Sequence, residues 1–466
     1  MIEGLKPYAE YKESGLPWLG KVPAHWDVRR TKLILREVDS RSTTGKEQLL
    51  RVSHYTGVTQ RKAADGSDAP NTRAASLVGY KRVSVNDLVI NIMLAWNGSM
   101  GVSRFDGIAS PAYCVYRLNK GAQPWYFHQL FRLPLYKGRI KAVSTGVIES
   151  RLRLYSDDLG RIEAILPPLD EQAAIVRFLD HANRKIDGFI RVKRRLIGLL
   201  NEQKQAIIHH AVTRGLNPEA TLKPSGIPWL GDIPQHWGTP RLAQLSTRIG
   251  DGLHGTPEYV DQSPYHFING NNLVNGCIRL KASTRCVGLA EFKKHAVPLD
   301  ESTLLMSING TIGSIALYQG ESVILGKSAA YINCNKSLTR EYLLCFLQSP
   351  AVVNFLRQEV TGTTIFNLSL ASIRSLPIAL PSIDEQLSIV GSIEKNTAPT
   401  STAIARTERE IALMQEYRTR LTADIVTGKL DVREAAAKLP DLPTDSAAEP
   451  LTDEAPDDTE SEEIET

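Results

Sequence analysis

An internal repeat constrains the fold of this chain more than any other feature of its sequence. The segment SGLPWLGKVPAHW at residues 14–26 returns as SGIPWLGDIPQHW at residues 225–237. Further on, LPPLDEQAAIV at 166–176 returns as LPSIDEQLSIV at 380–390. The offsets of 211 and 214 residues are nearly equal, so the chain consists of two copies of one unit. Each copy has a leader, a long variable region and a helix-forming segment.

The two helix-forming segments carry matching apolar stripes. In the first copy, the steps between stripe positions alternate between four and three residues from 186 to 211, with Lys193 and Lys204 as the weak positions. This spacing is typical of a coiled-coil seam, and the offset of 214 carries it into the second copy. We therefore predict that the two helices pack on each other. The apolar seam residues are Ile186, Ile190, Ile197, Leu200, Ile207, Ile404, Ile411, Met414, Leu421 and Ile425.

Both helix-forming segments have recognisable ends. Proline lies shortly before each DEQ and blocks helix upstream, so Asp170 and Asp384 are expected to cap the new N-termini. Gly215 and Gly428 mark the expected C-terminal ends, because glycine readily adopts the left-handed conformation that stops a helix. We interpret the repeated DEQ as a helix start and assign it no catalytic role.

The charge of the chain is unevenly distributed. The formal net charge is +4, but residues 431–466 hold 13 Asp and Glu against two basic residues, which leaves about +15 for the rest. A basic body suits a polyanion such as nucleic acid, although solvated basic faces are also common. The acidic end has too few apolar residues to fold.

Composition and patterning predict an α+β protein with more than one domain. The 466 residues, 42% of them apolar, are enough for two or three packed domains. Both variable regions contain strand-like runs punctuated by Gly and Asn, yet they resemble each other only weakly. We expect two globular domains of mixed strand and helix, separated by two long antiparallel coiled-coil helices in a pseudo-two-fold repeat. The expected segments are a leader (1–26), the first variable domain (27–165), the first spacer helix (166–222), the repeated leader with the second variable domain (223–379), the second spacer helix (380–432) and an acidic disordered tail (433–466).

Catalytic and metal-binding motifs are not convincing in this sequence. GESVILGKS at 320–328 nearly forms a phosphate-binding loop, but five residues separate its glycines where the motif needs four. A strand followed by a turn is the simpler interpretation. The five cysteines are scattered, and His25 and His236 each precede a tryptophan, which indicates a packed aromatic cluster rather than a metal site.

The doubled motifs identify the family that this sequence resembles. They are the PWLGxxPxHW leader, the LPxxDEQxxIV helix start and the VTxGL-like helix ends. Variable-region strings such as GDGLHGTPEY at 250–259 and FINGNNLVNG at 267–276 are also similar in style. On these grounds the chain, apart from its acidic end, resembles the DNA-specificity subunits of Type I restriction-modification enzymes.

The resemblance implies a non-catalytic subunit with two target-recognition domains in the variable regions. The implied partners are double-stranded DNA, two methyltransferase subunits, and restriction subunits with ATP-driven translocase and nuclease activity. S-adenosylmethionine, ATP and Mg²⁺ would be used by those partners, and this chain would hold no cofactor or metal. Independently, a helix over 186–211 would span roughly 39 Å, close to the ~34–36 Å of one DNA turn. We expect a split, asymmetric target.

Base reading requires side chains such as Arg, Lys, Asn and Gln that reach groove edges. Many residues qualify, and we favour those on turns rich in Gly, Asn and Asp. Ordinary solvated residues and simple turn builders remain the alternative for each of them. The predicted DNA contacts are Arg61, Lys62, Arg73, Lys81, Arg82 and Arg104 in the first region, and His254, Thr256, Tyr259, Asn269, Asn271, Asn272 and Lys327 in the second.

Two other functions remain open at this point. One is an autonomous DNA methyltransferase or nuclease with degenerate motifs, which would bind S-adenosylmethionine by itself. The other is a free-standing DNA-binding regulator, which would work without a methyltransferase. The first twenty residues lack a secretory pattern and no run reaches the ~18 apolar residues of a membrane span, so we expect a cytoplasmic protein that makes no membrane contact.

Overall fold

The chain folds into two compact units, each of which has its own core. The computed structural model describes residues 5–61, 74, 76–148, 151–310, 312–360 and 367–440. Unit 1 comprises Met1–Val192 together with Glu410–Thr466, and unit 2 is the continuous stretch Lys193–Arg409. Unit 1 is therefore assembled from two separate stretches of chain, whereas the segments expected from the sequence are linear.

The first half of the chain forms twelve strands and four helices in its described residues. The strands are β1 (Tyr11–Glu13), β2 (Lys21–Pro23), β3 (Asp27–Arg30), β4 (Leu35–Glu37), β5 (Leu50–Ser53), β6 (Gly57–Gln60), β7 (Lys81–Val83), β8 (Leu88–Asn91), β9 (Met100–Val102), β10 (Gly107–Ala109), β11 (Tyr113–Leu118) and β12 (Glu163–Leu166). The helices are α1 (Pro124–Arg132), α2 (Pro134–Val143), α3 (Ser156–Arg161) and the 46-residue α4 (Leu169–Arg214).

The second half repeats this order of elements. Its strands are β13 (Leu222–Pro224), β14 (Asp232–Pro234), β15 (Ser246–Asp251), β16 (Tyr259–Val260), β17 (His266–Ile268), β18 (Leu273–Val274), β19 (Cys277–Ile278), β20 (Cys286–Val287), β21 (Thr303–Ser307), β22 (Ile315–Leu317), β23 (Val323–Leu325) and β24 (Ala329–Cys334). Its helices are α5 (Leu289–His295), α6 (Arg340–Leu347), α7 (Pro350–Gln358), α8 (Leu370–Ser375), the 44-residue α9 (Ile383–Val426) and α10 (Arg433–Ala437).

The repeat extends into the variable regions, although their sequences have diverged. Unit 1 contains a four-stranded antiparallel sheet in the order β4-β11-β8-β9, and unit 2 contains the equivalent sheet β15-β24-β21-β22. Strands β8 and β21 are buried along their whole length, because helices and further strands cover both faces. A pair of short helices follows the long strand in each case, α1–α2 after β11 and α6–α7 after β24. The predicted α+β fold class with two long helices is confirmed.

A buried glutamate joins the leader to the long helices in unit 1. Glu171, in the first turn of α4, accepts hydrogen bonds from Trp26 Nε1 (2.8 Å) and from the Tyr8 hydroxyl (3.1 Å) through one carboxylate oxygen. The other oxygen lies 2.6 Å from His25 Nε2 and 3.2 Å from an Arg433 nitrogen. Burial and the Glu171 charge raise the pKa of Tyr8, so its hydroxyl remains a donor.

Unit 2 contains the same junction in a sparser form. Glu385, the equivalent residue in α9, lies 3.1 Å from both Trp237 Nε1 and His236 Nε2. Its side chain is 27% exposed, against 4% for Glu171. The histidines and tryptophans of both leaders therefore serve as scaffold contacts to the DEQ glutamates.

The glutamine of each DEQ ties the long helix to the variable domain. Gln172 Oε1 accepts the backbone N–H of Gln123, just before α1, at 2.8 Å. Gln386 Oε1 accepts the backbone N–H of Thr339, just before α6, at the same distance. Both glutamines are fully buried and donate to the carbonyl of a proline before the helix. Burial with all polar atoms bonded explains why glutamine occupies this position.

The helix ends agree with the sequence at one terminus and differ at the other. Gly215 and Gly428 have φ of +74° and +80° and follow the last turns of α4 and α9, so both predicted ends are confirmed. A Cβ at Gly428 would lie 2.4 Å from Pro23, which leaves room only for glycine. The predicted caps are wrong, because α4 and α9 begin at Leu169 and Ile383. Asp170 and Asp384 therefore lie inside the first turn, where they favour the helix dipole instead of capping.

Polar layers occur at equivalent positions of the helix pair in each unit. In unit 1, Arg418 of α9 forms an ion pair with Asp187 of α4. In unit 2, Lys204 of α4 donates to the hydroxyl of Ser401 in α9 at 3.1 Å. These two pairs correspond through the offset of 214 residues. In each unit the start of one long helix lies near the end of the other, so the helices run antiparallel.

The predicted seam residues lie on the covered side of the helix pair. Ile186, Ile190, Leu421 and Ile425 are buried in unit 1. The other apolar seam residues are half-buried, namely Ile197, Leu200, Ile207, Ile404, Ile411 and Met414. None of the ten is exposed, whereas most of their neighbours outside the seam are.

The segment expected to start the disordered tail is packed in unit 1. Residues 433–437 form α10, with Val432 and Ala436 buried, and Arg177 of α4 donates to the carbonyl of Leu439. The structure thus differs from the prediction for 433–439, because Arg433 finds a buried carboxylate partner in Glu171. Residues 441–466 lie outside the described part of the chain. Among the described residues, no helix is both long and apolar enough to cross a bilayer.

The leader junctions predict unequal losses of stability. We expect Glu171→Ala to lower the free energy of unfolding of unit 1 by about 2–4 kcal/mol, because buried donors of Trp26 and Tyr8 lose their acceptor. Glu385→Ala should cost about 1–2 kcal/mol, since that carboxylate is more exposed and has fewer donors. Urea unfolding followed by tryptophan fluorescence measures both. Glu13→Ala, at a surface ion pair, is the control and should change stability by less than about 0.5 kcal/mol. Equal losses for the two junction variants would contradict the interpretation.

Candidate nucleic-acid interface

Three loops of unit 2 meet beside the four-stranded sheet. The backbone N–H of Leu253 donates to the carbonyl of Leu325 at 2.7 Å, which joins the 250–256 loop to the turn after β23. The N–H of Gly326 donates to the carbonyl of Ile268 at 2.8 Å and joins the same turn to the 269–272 loop. Loop residues from distant parts of the sequence are thereby held side by side.

Close packing in this region demands glycine. A Cβ at Gly326 would lie 2.2 Å from Asn269 Oδ1, and one at Gly252 would lie 2.1 Å from the Leu325 carbonyl oxygen. The hydroxyl of Ser328 donates to Asn269 Oδ1 at 2.9 Å and accepts from the Gly270 N–H at 3.0 Å. The loops are therefore fixed by their own polar groups.

The predicted contacts of unit 2 divide into two groups. Asn272 is buried, and its side chain bonds the Asn269 N–H, the Arg279 carbonyl and the Thr284 hydroxyl. Asn269 is likewise engaged with Ser328, so these two asparagines build the loops. The exposed group, which we call the unit 2 rim, consists of His254, Thr256, Tyr259, Asn271 and Lys327.

Members of the unit 2 rim carry neighbours that shape them. His254 Nε2 lies 2.7 Å from a carboxylate oxygen of Asp251. The guanidinium of Arg285 lies 5.5 Å from the centre of the Tyr259 ring, which also faces Phe267 at 6.0 Å. Lys327 is exposed in the turn between β23 and β24. The rim thus presents imidazole, hydroxyl, amide and ammonium groups to one region of solvent, a set suited to base edges and phosphates.

The predicted contacts of unit 1 are only partly brought together. The backbone N–H of Arg61 donates to the carbonyl of Leu49, whose neighbour across a bridge is Ile108, and Arg82 pairs with Ile108 from the other side. Arg61 and Arg82 therefore lie on strands of the same region, and Arg82 contacts Glu47 at 3.2 Å. Lys62 and Arg73 lie outside the described residues.

Lys81 does not face solvent. Its side chain is 8% exposed, and its ammonium lies 3.9 Å from carboxylate oxygens of both Glu37 and Asp39. Burial of an ammonium requires such partners, and they occupy it here. We therefore leave Lys81 out of the proposed DNA contacts.

Arg104 occupies a separate place in unit 1. It is exposed in the turn between β9 and β10, and its guanidinium stacks 4.0 Å above the ring of Trp125 in α1. Stacking on an aromatic ring orients the guanidinium while leaving its edge donors available.

Sequence reasoning missed two buried side chains of α1 that hold the loops of unit 1. Arg132 donates to the carbonyls of Met100 (2.7 Å), His54 (2.8 Å) and Tyr55 (2.8 Å). His128 Nδ1 accepts the N–H of Val102 at 3.1 Å. Burial lowers the pKa of Arg132 to about 10. Burial, with Arg132 and Arg104 nearby, lowers the pKa of His128 to about 3. A His and an Arg four residues apart on an apolar helix face were the available signal.

Two tyrosines fasten the variable domains to the long helices, and these also escaped the sequence analysis. The Tyr126 hydroxyl of α1 lies 3.3 Å from the Ile165 carbonyl and 3.2 Å from the Val426 carbonyl. The Tyr342 hydroxyl of α6 lies 2.6 Å and 3.2 Å from the carbonyls of Ala379 and Val212. Within the repeat, these are equivalent contacts.

The near phosphate-binding loop is a strand and a turn, as expected. Val323–Leu325 form β23, which pairs in parallel with β17, and the turn carrying Lys327 follows directly. In the part of the chain that the structure describes, no group of three or more His, Cys, Asp or Glu side chains is placed to hold a metal ion.

Comparisons with known proteins agree with one another. Residues 256–412 match the family model of the Type I restriction modification DNA specificity domain. The chain is 21% identical over 89% of its length, and 96% of the relative, to a putative type I restriction enzyme MjaX specificity subunit of Methanocaldococcus jannaschii. It is 24% identical to the EcoKI specificity subunit of Escherichia coli K12, covering 78% of each chain.

A solved structure shares the fold. It comes from work on complex assembly and conformational transition of the type I R-M system, and its chain is 17% identical with a TM-score of 0.60. The match covers 88% of this chain and 99% of that one.

The buried histidine of α1 predicts a pH dependence of stability. The unfolded chain takes up a proton on His128 near its ordinary pKa of 6.5, but the folded chain does so only near 3. Stability from this residue is therefore complete above pH 6.5 and is lost as the pH falls, by at most about 1.4 kcal/mol per unit. In His128→Asn, an amide oxygen can accept the Val102 N–H without titrating. We expect the wild-type stability to drop about 1–2 kcal/mol more than that of the variant between pH 7 and pH 5. Parallel unfolding curves across this range would refute the assignment.

Proposed function

We propose that this chain, which belongs to the family of Type I restriction-modification specificity subunits, binds double-stranded DNA at a bipartite and asymmetric target. One half of the target would be read by the variable domain of unit 1 and the other by that of unit 2. The observation that supports this most is a repeated scaffold with different surfaces. Tyr126 and Tyr342, and Glu171 and Glu385, make equivalent contacts, while the exposed side chains of the two domains differ.

The two variable domains differ in the groups that they offer to DNA. In unit 1 the proposed contacts are the guanidinium groups of Arg61, Arg82 and Arg104, which suit guanine edges and phosphates. In unit 2 they are the mixed polar groups of the rim, from His254 to Lys327. Because different side chains select different bases, two unlike half-sites follow.

Charge favours a larger share of phosphate binding by unit 1. Residues 27–165 hold 22 Lys and Arg against 12 Asp and Glu, a net charge of +10. Residues 238–379 hold 12 against 9, a net charge of +3. Counterion release scales with the number of phosphates neutralised, so the affinity of unit 1 for DNA should depend more strongly on salt.

Partners would supply the chemistry. We propose that two methyltransferase subunits, which use S-adenosylmethionine, dock on this chain and are placed on DNA by it. Restriction subunits that use ATP and Mg²⁺ would join the same complex in the cytoplasm. The names of the relatives, specificity subunits of Type I restriction enzymes, support this assignment. An S-adenosylmethionine binding assay on the purified chain separates it from an autonomous methyltransferase, because only the latter would bind.

Arginine substitutions test the proposed interface in unit 1. We expect Arg82→Gln to weaken binding to duplex DNA and to reduce the slope of log affinity against log salt by about 1. Arg29→Gln is the matched control, since Arg29 is 55% exposed and paired with Asp27, much as Arg82 is 48% exposed and paired with Glu47. Fluorescence anisotropy at several salt concentrations measures both. Equal effects of the two substitutions would remove Arg82 from the interface.

Exchange of a whole variable domain tests the division of labour. Replacing residues 27–165 with the corresponding region of another specificity subunit should change one half of the methylated motif and leave the other half unaltered. Mapping of modified adenines in a genome that expresses the chimera with its methyltransferase provides the measurement. If both halves change together, the two domains do not read independently.

A further inference from the structure

The described chain ends at a fixed point on unit 1. Arg433 binds Glu171 and stacks 5.2 Å from the Tyr8 ring, and Ala436 is buried. Arg177, in the third turn of α4, then donates to the carbonyl of Leu439. The residues that follow therefore leave the molecule from the surface of α4 beside Arg177.

The sequence beyond this point is opposite in charge to the domain from which it departs. Residues 441–466 contain eleven Asp and Glu and no Lys or Arg. The variable domain of unit 1, with its net charge of +10, is the more basic of the two. A segment of −11 thus starts on the +10 domain rather than on the +3 domain.

Basic side chains surround the exit point. Asp180 lies one helical turn beyond Arg177; burial raises the pKa of its carboxyl, while Arg104 and Arg184 are near enough to oppose that rise. Lys185 and Arg184 act on the neighbouring His181, whose pKa is lowered first by burial and then by these two charges. Arg104 and Lys185 are exposed. We call Arg104, Arg177, Arg184 and Lys185 the exit cluster.

Two acidic residues of α4 lie near the exit cluster, and neither cancels it. Asp187 is paired with Arg418 of α9, and Asp180 is partly buried. The 26 residues beyond 440 could span at most about 90 Å, so their carboxylates can reach the exit cluster and the Arg104 face of the variable domain. Tethering makes this encounter intramolecular, which raises the effective concentration of the acidic segment.

We propose that residues 441–466 bind the exit cluster and the adjoining basic surface of unit 1, where they compete with DNA phosphates. The segment acts as an internal polyanion that weakens binding to sequences lacking the target, while base contacts to the correct target outweigh it. The competitor being DNA rests on the proposed function. The binding of the acidic segment to the exit cluster rests on charge and position alone.

The test compares three forms of the purified full chain. These are the wild type, a form ending at residue 440, and a full-length form whose eleven acidic tail residues are replaced by Asn and Gln. We expect both altered forms to bind a duplex without the target about tenfold more tightly than the wild type at 50 mM salt, and less than twofold more tightly at 300 mM. The methylated motif should be the same for all three forms when they are expressed with the methyltransferase.

Location is tested by a double substitution outside the proposed DNA contacts. Arg184→Gln with Lys185→Gln should reduce the tenfold difference between the full-length and shortened forms to about threefold. A synthetic peptide of residues 441–466 should weaken DNA binding by the shortened form, and its Asn and Gln counterpart should not. Equal affinity of all three forms at every salt concentration would overturn the proposal. Absence of DNA binding by every form would instead count against the proposed function.

Discussion

The bond between a leader tryptophan and the glutamate at the start of a long helix is the interaction on which the rest of the structure depends. Trp26 with Glu171, and Trp237 with Glu385, fix where each long helix begins relative to the leader. The end of the other long helix packs on the same tryptophan, through Gly428 in unit 1 and Gly215 in unit 2. A buried carboxylate is costly unless it is fully bonded, so the surrounding donors are as constrained as the glutamate itself.

From this junction the constraint passes outward to the variable domains. The glutamine beside each glutamate holds the backbone before α1 or α6, and the tyrosines of those helices contact carbonyls at the ends of the long helices. Beyond that layer, the two domains share only the sheet order and the apolar pattern of its strands. Surface loops are free to differ because their own polar groups fix them, as Asn269 and Ser328 do in unit 2. The protein can therefore change its recognition surface without disturbing its frame.

The sequence was sufficient for the frame and insufficient for the surface. The repeat, the fold class, the helix ends at glycine and the strand within GESVILGKS followed from patterns that local physics enforces. The helix starts were misplaced by a residue or so, because acidic residues favour both the cap and the first turn. Lys81 and Asn272 looked like surface groups, yet tertiary contacts bury them. Arg132 and His128 were overlooked because their partners, backbone carbonyls and an N–H from distant loops, have no sequence signature.

The division of the chain into a continuous unit 2 and a split unit 1 has a consequence for synthesis on the ribosome. Unit 1 cannot close until residues after 410 have emerged, and the 217 residues from Lys193 to Arg409 are made in between. At roughly 5–20 residues per second, this takes about 10–40 s. During that interval Ile186 and Ile190 lack the late-made Leu421 and Ile425 as cover. Residues 199–216, which repeat the sequence pattern of 413–430, emerge first and are the nearest competitor for that face. Translation rate and nascent-chain concentration therefore decide how often the early half waits for its own helix and how often it pairs with the wrong one.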